Sequence, residues 1–343
     1  MAKQSVAIRI FAAQAEKATA IVDNKYDFSP TTALTVETNT PAAPTGISTG
    51  IGGTVREYLW TWKNRSVKII YEVLGEGTPI LFLPAFSTVS SRTEMRQLAE
   101  IFAREFQVIA VDWPGFGSSA RPPLQYQPAL YQTFLADFVR DTFTDPVVVI
   151  AAGHAASYVM RLAQQDPPVW LWVVLVAPTW RGPLPTMIGE YRWAYKILRK
   201  IVATPILGQF LYALNTLPPF LSFMYRRYVY GNPDAVTPSL IREKWRITQK
   251  RGARFATAAF VTGELDAVQS RPQFIELFQP LPVPTLIVIG EQTPAKSRLE
   301  MEVLVSFTGV QKCWLPGSLG LHEEHPWELA NAILPFLRKF LSR

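Results

Sequence analysis

The chain has 343 residues, 48% hydrophobic and 18% charged, with a net charge of +7. That length allows two domains or one large domain with an insert, and that composition excludes wholesale disorder. A single cysteine, Cys313, excludes a disulfide framework and a zinc site of several thiolates, and three histidines (His154, His322 and His325) leave little from which to build metal chemistry.

Residues 5–22 predict a short helix. Charges interrupt their apolar stretch, so a secretory signal is not expected. Ser29–Thr54 is rich in Thr, Pro, Gly and Ala and predicts a linker, which makes residues 1–54 a flexible tail. The runs EYLWTW and VKIIYEVL, separated by Lys63-Asn64-Arg65, predict a hairpin. Short apolar runs then alternate with helical stretches. Strands are expected at 79–84, 107–113, 146–152 and 169–178, with helices at Thr93–Arg104, Tyr131–Phe143 and Ala155–Gln165 between them. After a long interruption come a strand at 285–290, a helix at Ser297–Phe307, a strand at Lys312–Leu315 and a last helix at Trp327–Leu341.

Near-continuous apolar strands alternating with helices predict an α/β protein. Its sheet is mostly parallel and covered on both faces, with the N-terminal hairpin as an antiparallel edge. The core is expected over 55–182 and 262–343. Residues 183–261 break the alternation and predict a helical cap. Between Arg181 and Phe260 there are 13 Lys and Arg against 3 Asp and Glu, a net of +10, so the rest of the chain carries −3. The longest uncharged run, Ile201–Tyr225, holds Pro205, Pro218 and Pro219, which predicts two short helices rather than a spanning one.

Several landmarks fall in order along this pattern. They are Asp112-Trp113-Pro114-Gly115-Phe116-Gly117-Ser118-Ser119, Val148–Ile150 followed by Gly153-His154, Ala177-Pro178, and Glu323-Glu324-His325-Pro326. Over residues 55–343 the chain resembles the α/β-hydrolase fold family. Its elbow, GHAASY, together with PTWRGPLP and GSLGLHEEHP, resembles a triad-lacking branch of hydrolase-like proteins from cyanobacteria and plastids.

The resemblance implies a serine nucleophile on a strained strand-to-helix turn, a histidine base and an acid that orients it. Aligning Gly153-His154-Ala155-Ala156-Ser157 on the family's elbow puts Ala155 in the nucleophile slot. The acid slot in Gly290-Glu291-Gln292-Thr293-Pro294 is Thr293, and the histidine slot in Pro316–Glu324 is Leu319. None of the three can do its part in acyl transfer. The resemblance leaves an oxyanion hole, with the Ala156 N–H as one donor and the loop Pro84-Ala85-Phe86-Ser87 supplying the other from Phe86, next to Ala85.

Three residues remain as fallback candidates. Ser157 lies about 200° around the helix from Ala155, which favours a packing role. His322 stands three residues past the histidine slot. His154 precedes the elbow position, where a packing role competes with that of a base. Asp112, at a strand end, is expected to cap backbone amides. The cluster His322-Glu323-Glu324-His325 fits carboxylates at a helix start better than a metal site. Gly115-Phe116-Gly117 lacks the rest of a phosphate loop, so no cofactor is expected.

In the cap, Ala194, Ile197, Leu198 and Ile201 share one helical face, flanked by Arg192, Lys196, Arg199 and Lys200, and Arg226 and Arg227 follow later. Such a segment roofs a pocket or meets an anionic membrane surface or partner, and both readings stay open. Nucleic acid is disfavoured, because no reader motif accompanies the charge. The reading is a hydrolase-fold protein without the triad that binds an apolar, lipid-like ligand or a membrane or protein partner. The alternative is an enzyme of the same family, a hydrolase or a non-hydrolytic isomerase or lyase, acting on a lipid-like or small ester substrate beneath the cap. A cytoplasmic or plastid-stromal location is expected, and the oligomeric state stays open.

Overall fold

The computed structural model describes residues 50–189, 192–204 and 206–341, so the helix expected at 5–22 lies outside the described residues. The chain opens with β1 (Thr54–Trp62) and β2 (Arg65–Leu74), paired antiparallel with Trp62 opposite Arg65. The turn between them is therefore Lys63-Asn64 alone, one residue shorter than expected. Both residues have positive φ, 46° and 63°, the mirror-image turn whose twist suits a hairpin.

The next strands are β3 (Pro79–Leu83), β4 (Gln107–Val111), β5 (Val147–Ala152) and β6 (Trp170–Val176), followed late in the chain by β7 (Thr285–Gly290) and β8 (Val310–Leu315). They form one eight-stranded sheet in the order β1-β2-β4-β3-β5-β6-β7-β8. β2 runs antiparallel to both β1 and β4, and all pairs from β4 to β8 are parallel. Side chains of alternate residues face opposite sides. Leu81, Val111, Val149, Leu175 and Ile287 therefore join one core layer, whereas Phe82, Ala110, Ile150, Val174 and Val288 join the other. This two-sided burial is why the strands read as unbroken apolar runs.

The helix α1 (Arg96–Phe102), preceded by a 3-10 turn at Arg92–Met95, and the final helix α13 (Pro326–Leu341) cover the second layer with Leu98, Phe102, Leu329, Ile333 and Leu337. α2 (Pro128–Thr142) and α3 (Ala155–Ala163) cover the first with Phe134, Phe138, Tyr158 and Leu162. Among the described residues every element between β6 and β7 is helical, with α4 (Pro183–Ile188), α5 (Arg192–Ala203), α6 (Leu207–Leu214), α7 (Pro218–Met224), α8 (Pro238–Thr248), α9 (Ala253–Val261) and α10 (Arg271–Glu276) joined by shorter helical turns at Tyr225–Val229 and Pro233–Ala235. Pro183, Pro218 and Pro238 stand in the first turn of their helices, where a missing N–H costs nothing. The uncharged run 201–225 spans α6 and α7. No single described helix is long and apolar enough to cross a membrane, and the pair formed by α5 and α6 bends by 106°. α11 (Ala295–Leu304) joins β7 to β8, and α12 (Leu321–Glu324) precedes α13.

The expected linker ends earlier than Thr54. Ile51 is fully buried, and the buried Glu72 carboxylate of β2 accepts the N–H groups of Ile51, Gly52 and Gly53 at 2.9, 3.2 and 3.2 Å. Three amide donors on one carboxylate hold this segment against the sheet, a contact that residue composition does not announce.

Candidate active site

The site is built where β5 turns into α3. The last residue of β5 is Ala152, and Gly153 follows with φ +52°, in the left-handed region that L side chains rarely adopt. Its N–H donates to the Val176 carbonyl of β6 at 2.9 Å, and its own carbonyl accepts from Thr179 and Ala156 at 3.0 and 3.2 Å. A Cβ built on Gly153 would lie 3.2 Å from the Cβ of Ala85, in the loop after β3. Ala151 and Ala155, two residues to either side, are small and fully buried. Gly153 is thus the residue at the tip of the bend. Ala155, placed there by sequence alignment, is two residues further on and is the first residue of α3.

This shift also moves the expected hydrogen-bond donors. The Ala156 N–H is engaged by the Gly153 carbonyl and is not free for an oxyanion. The amides of His154 and Ala155 have no acceptor among the described residues. On the opposing loop, the Ala85 N–H donates to Glu94 Oε1 at 2.6 Å, and the Pro84 carbonyl accepts from the Trp113 indole at 2.9 Å. The Phe86 ring is buried. It stacks on Trp113 at 4.7 Å and meets Tyr131 edge-on at 5.0 Å, so its side chain fills space behind the loop.

His154 is fully enclosed between Phe86 and Phe260, with ring centroids at 5.9 and 5.5 Å. Burial pushes its pKa down to about 4, outweighing the opposing pull of the Leu265 carbonyl. The ring is therefore neutral at physiological pH. Nε2 lies 3.0 Å from that carbonyl, an acceptor, so Nε2 carries the proton and Nδ1 the lone pair. Among the described residues Nδ1 has no partner. Tyr158 donates to the same carbonyl at 2.6 Å, and Asp266 Oδ1 lies 3.5 Å from His154 Nε2. Ser157 is fully buried on α3, and its Oγ has no described partner.

The two remaining family positions lie on loops tied to each other. The Gln292 N–H donates to the Gly317 carbonyl at 2.9 Å, and the Gly317 N–H returns to Gln292 Oε1. Thr293 is buried beside this exchange, with no described partner for its hydroxyl. Leu319 is half-buried and packs on the main core layer. The segment also bonds to the cap. Ser318 Oγ donates to the Tyr228 carbonyl at 3.0 Å, and the Gly320 N–H to that of Val229 at 2.6 Å.

His322, from α12, points inward and is 3% exposed, with Nε2 at 3.2 Å from Glu94 Oε1. Beside it, Glu323 pairs with Lys244 of α8, a lysine only 1% exposed. Burial alone would lower that ammonium's pKa, but the carboxylates of Glu323 and Glu94 outweigh it and hold Lys244 above its ordinary value. Glu324 diverges from Glu323 and takes the N–H groups of Gly231 and Asn232, both at 2.7 Å. His322, Glu323 and Glu324 thus serve three different partners.

Sequence reasoning missed Glu94 and Lys244. Lys244 had left a signal, since it occupies the buried face of α8 with Ile241 and Thr248 at spacings of three and four. Glu94 had been hidden by its setting, because Ser91-Arg92-Thr93-Glu94 reads as an ordinary helix-start box. Asp112 behaves as expected. It accepts the N–H groups of Arg92 and Ser118, both at 2.7 Å, and it also pairs with the Arg92 guanidinium. Of the basic residues named from the cap, Lys200, Arg226 and Arg227 are exposed, and Arg199 pairs with Glu264 at 2.9 Å. The side chains of Arg192 and Lys196 lie outside the described residues.

A mostly parallel sheet, a sharp turn from β5 into α3 facing the loop after β3, and helices inserted between β6 and β7 define an α/β hydrolase. The chain belongs to the α/β hydrolase family, which matches it over residues 80–331. It is similar to solved structures at low identity. A bromoperoxidase from Bacillus anthracis is 17% identical with a TM-score of 0.64, covering 82% of this chain and 100% of its own. A thermophilic esterase from Thermogutta terrifontis, solved with malate bound, is 20% identical with a TM-score of 0.64, over 84% of this chain and 99% of its own. A serine hydrolase of carbazole degradation is 20% identical with a TM-score of 0.60, over 83% and 99%. At these identities the likeness is one of fold. No curated protein matches the chain by sequence.

Proposed function

We propose that this chain is an α/β-hydrolase-fold protein that performs no serine-type acyl transfer and binds an apolar, lipid-like molecule beneath its cap. One observation carries the reading: the tip of the bend between β5 and α3 is Gly153, which has no side chain to attack an acyl carbon. The other two family positions support it, because Thr293 is not an acid and Leu319 is not a base. The apolar character of the ligand follows from the neighbourhood, where the Phe86 and Phe260 rings lie 6.5 Å apart, both next to His154 at the start of α3.

A fluorophosphonate probe tests the reading directly, since it reacts with activated serines. The wild-type chain is expected to stay unlabelled and to leave short p-nitrophenyl esters at the background rate. Labelling of any serine, with hydrolysis lost on its mutation, overturns the proposal. Organic extraction of the purified protein followed by mass spectrometry then identifies what occupies the site.

A second reading rests on His154 Nδ1, a buried lone pair without a described partner. In a non-hydrolytic isomerase or lyase it would take a proton from a bound substrate. That reading requires His154→Gln to abolish turnover on a candidate substrate while leaving the melting temperature within a few degrees of wild type.

A further inference from the structure

The cap turns an apolar face outward. Ile206 is 86% exposed, Leu207 53% and Phe210 60%, and Leu214, Leu217 and Phe223 continue along the same stretch as exposed side chains. Ile206, Leu207, Phe210 and Leu214 recur at the spacing of one helical face, while Gly208 and Tyr212 on the other side of α6 are buried. Tyr212 is seated against the cap, so α6 is anchored by one side and offers its second apolar side to the surroundings. Trp193 on α5 is also exposed, at 44%. Single exposed apolar residues are ordinary, but a run of six across consecutive short helices marks an interaction surface.

Its surroundings are cationic. The cap segment Arg181–Phe260 carries a net +10 on a chain of net +7. Lys200 is exposed at the end of α5, and Arg226 and Arg227 are exposed just after α7. Arg254 of α9 places its guanidinium 2.8 Å from Gln209 on α6. A second copy of this face would bring two strongly positive surfaces together. The chain's own residues 1–49 hold four Lys and Arg and four Asp and Glu, so they offer no complementary charge. An anionic phospholipid surface complements both features at once, giving acyl chains to the apolar side chains and headgroup charge to the basic ones.

We infer that the α5–α6–α7 tip of the cap docks on anionic bilayers, lying in the interface with Ile206, Leu207 and Phe210 inserted. The 106° bend between α5 and α6 suits a shallow insertion that does not cross. The inference stands apart from the proposed function, because it involves neither Gly153 nor any residue around it.

The test is co-sedimentation of the full chain with phosphatidylcholine vesicles, with and without phosphatidylserine, at low and high salt. Binding is expected on the phosphatidylserine vesicles only, falling by about tenfold or more at high salt because screening weakens the charge contribution. The double variant Leu207→Ser/Phe210→Ser, altered only at exposed positions, is expected to lose about tenfold or more of that binding while melting like wild type. Equal recovery in the supernatant with both vesicle types overturns the inference. Binding that the double variant keeps in full also overturns it, since plain charge attraction would then suffice. Sedimentation as a dimer that the variant abolishes, without vesicle binding, assigns the face to a second copy and likewise overturns it.

Discussion

Glu94 Oε1 lies 3.2 Å from His322 Nε2 and also accepts the Ala85 N–H at 2.6 Å, so one buried carboxylate joins the loop after β3 to α12. The loop faces Gly153, and the position of Ala85 therefore depends on a residue far from the bend. Glu94→Gln replaces a charged acceptor with a neutral amide and is expected to cost about 1.5–3 kcal/mol, the range for hydrogen bonds to charged groups. His322→Gln removes one contact and leaves the Ala85 bond in place, so it is expected to cost less. Urea unfolding of both variants checks the order, and a larger loss from His322→Gln would contradict the linkage.

The pair of Lys244 and Glu323 ties the cap to the core, and its two halves are not equivalent. Lys244 is almost wholly buried, whereas the Glu323 side chain keeps 16% of its exposure. Glu323→Gln strands an ammonium in the interior and is expected to cost about 3–5 kcal/mol. Lys244→Met leaves a carboxylate with some access to water and supplies an apolar stem, so a smaller loss is expected. The double variant should recover most of the Glu323→Gln loss. A double-mutant cycle by chemical denaturation measures this, and strictly additive effects would refute the coupling.

Much of the fold is legible in the sequence because both faces of the parallel strands are buried, as Val147–Ala152 and Thr285–Gly290 illustrate. The site is less legible, and the elbow shows why. Gly153-His154-Ala155 has the letters of a G-x-S motif with the serine replaced, so spelling places Ala155 at the tip. Backbone geometry puts Gly153 there, and a φ of +52° cannot be read from an alignment. Likewise the Glu94–His322 contact joins residues distant in the chain, and no local pattern announces it.

The two placements of the tip make different predictions. Gly153→Ala forces a Cβ into the left-handed region and to 3.2 Å from Ala85, and is expected to cost about 1–2 kcal/mol. The triple variant Gly153→Ser/Thr293→Asp/Leu319→His rebuilds a nucleophile, acid and base at the family positions and is expected to gain fluorophosphonate labelling. The same triple with Ala155→Ser in place of Gly153→Ser should remain unlabelled, since Ala155 lies two residues past the bend, in the first turn of α3. Labelling of the Ala155 version alone would restore the register read from the sequence.

His154 makes stability depend on pH. Its pKa is about 4 in the folded chain, against 6.5 for the free side chain, because burial penalises the imidazolium. Between those values the unfolded chain binds a proton that the folded chain refuses, so stability falls as pH falls. The contribution is fully present above pH 6.5 and is lost through pH 4, amounting to about 3 kcal/mol across the window. His154→Gln keeps a donor for the Leu265 carbonyl and has no proton to gain. Its urea midpoint is expected to vary less between pH 7 and pH 4 than that of the wild-type chain. Parallel pH profiles for the two proteins would place the acid sensitivity elsewhere.

Glu72 holds the segment before β1. Its carboxylate accepts three amides from Ile51, Gly52 and Gly53, and it also pairs with the Arg92 guanidinium at 2.6 Å. Arg92 is 2% exposed and contacts Asp112 as well, so the removal of one carboxylate leaves a buried cation half-compensated. Glu72→Gln is expected to cost about 3–5 kcal/mol. The amide of the substituted side chain presents donors toward Arg92 and cannot accept all three backbone N–H groups. Hydrogen exchange separates this from a general loss of stability. After correction for the lower global stability, the amides of Ile51, Gly52 and Gly53 should still exchange faster in Glu72→Gln, while those of β5 should not. Uniform acceleration across both segments would show that Glu72 supports the sheet without specifically fastening the chain that leads into it.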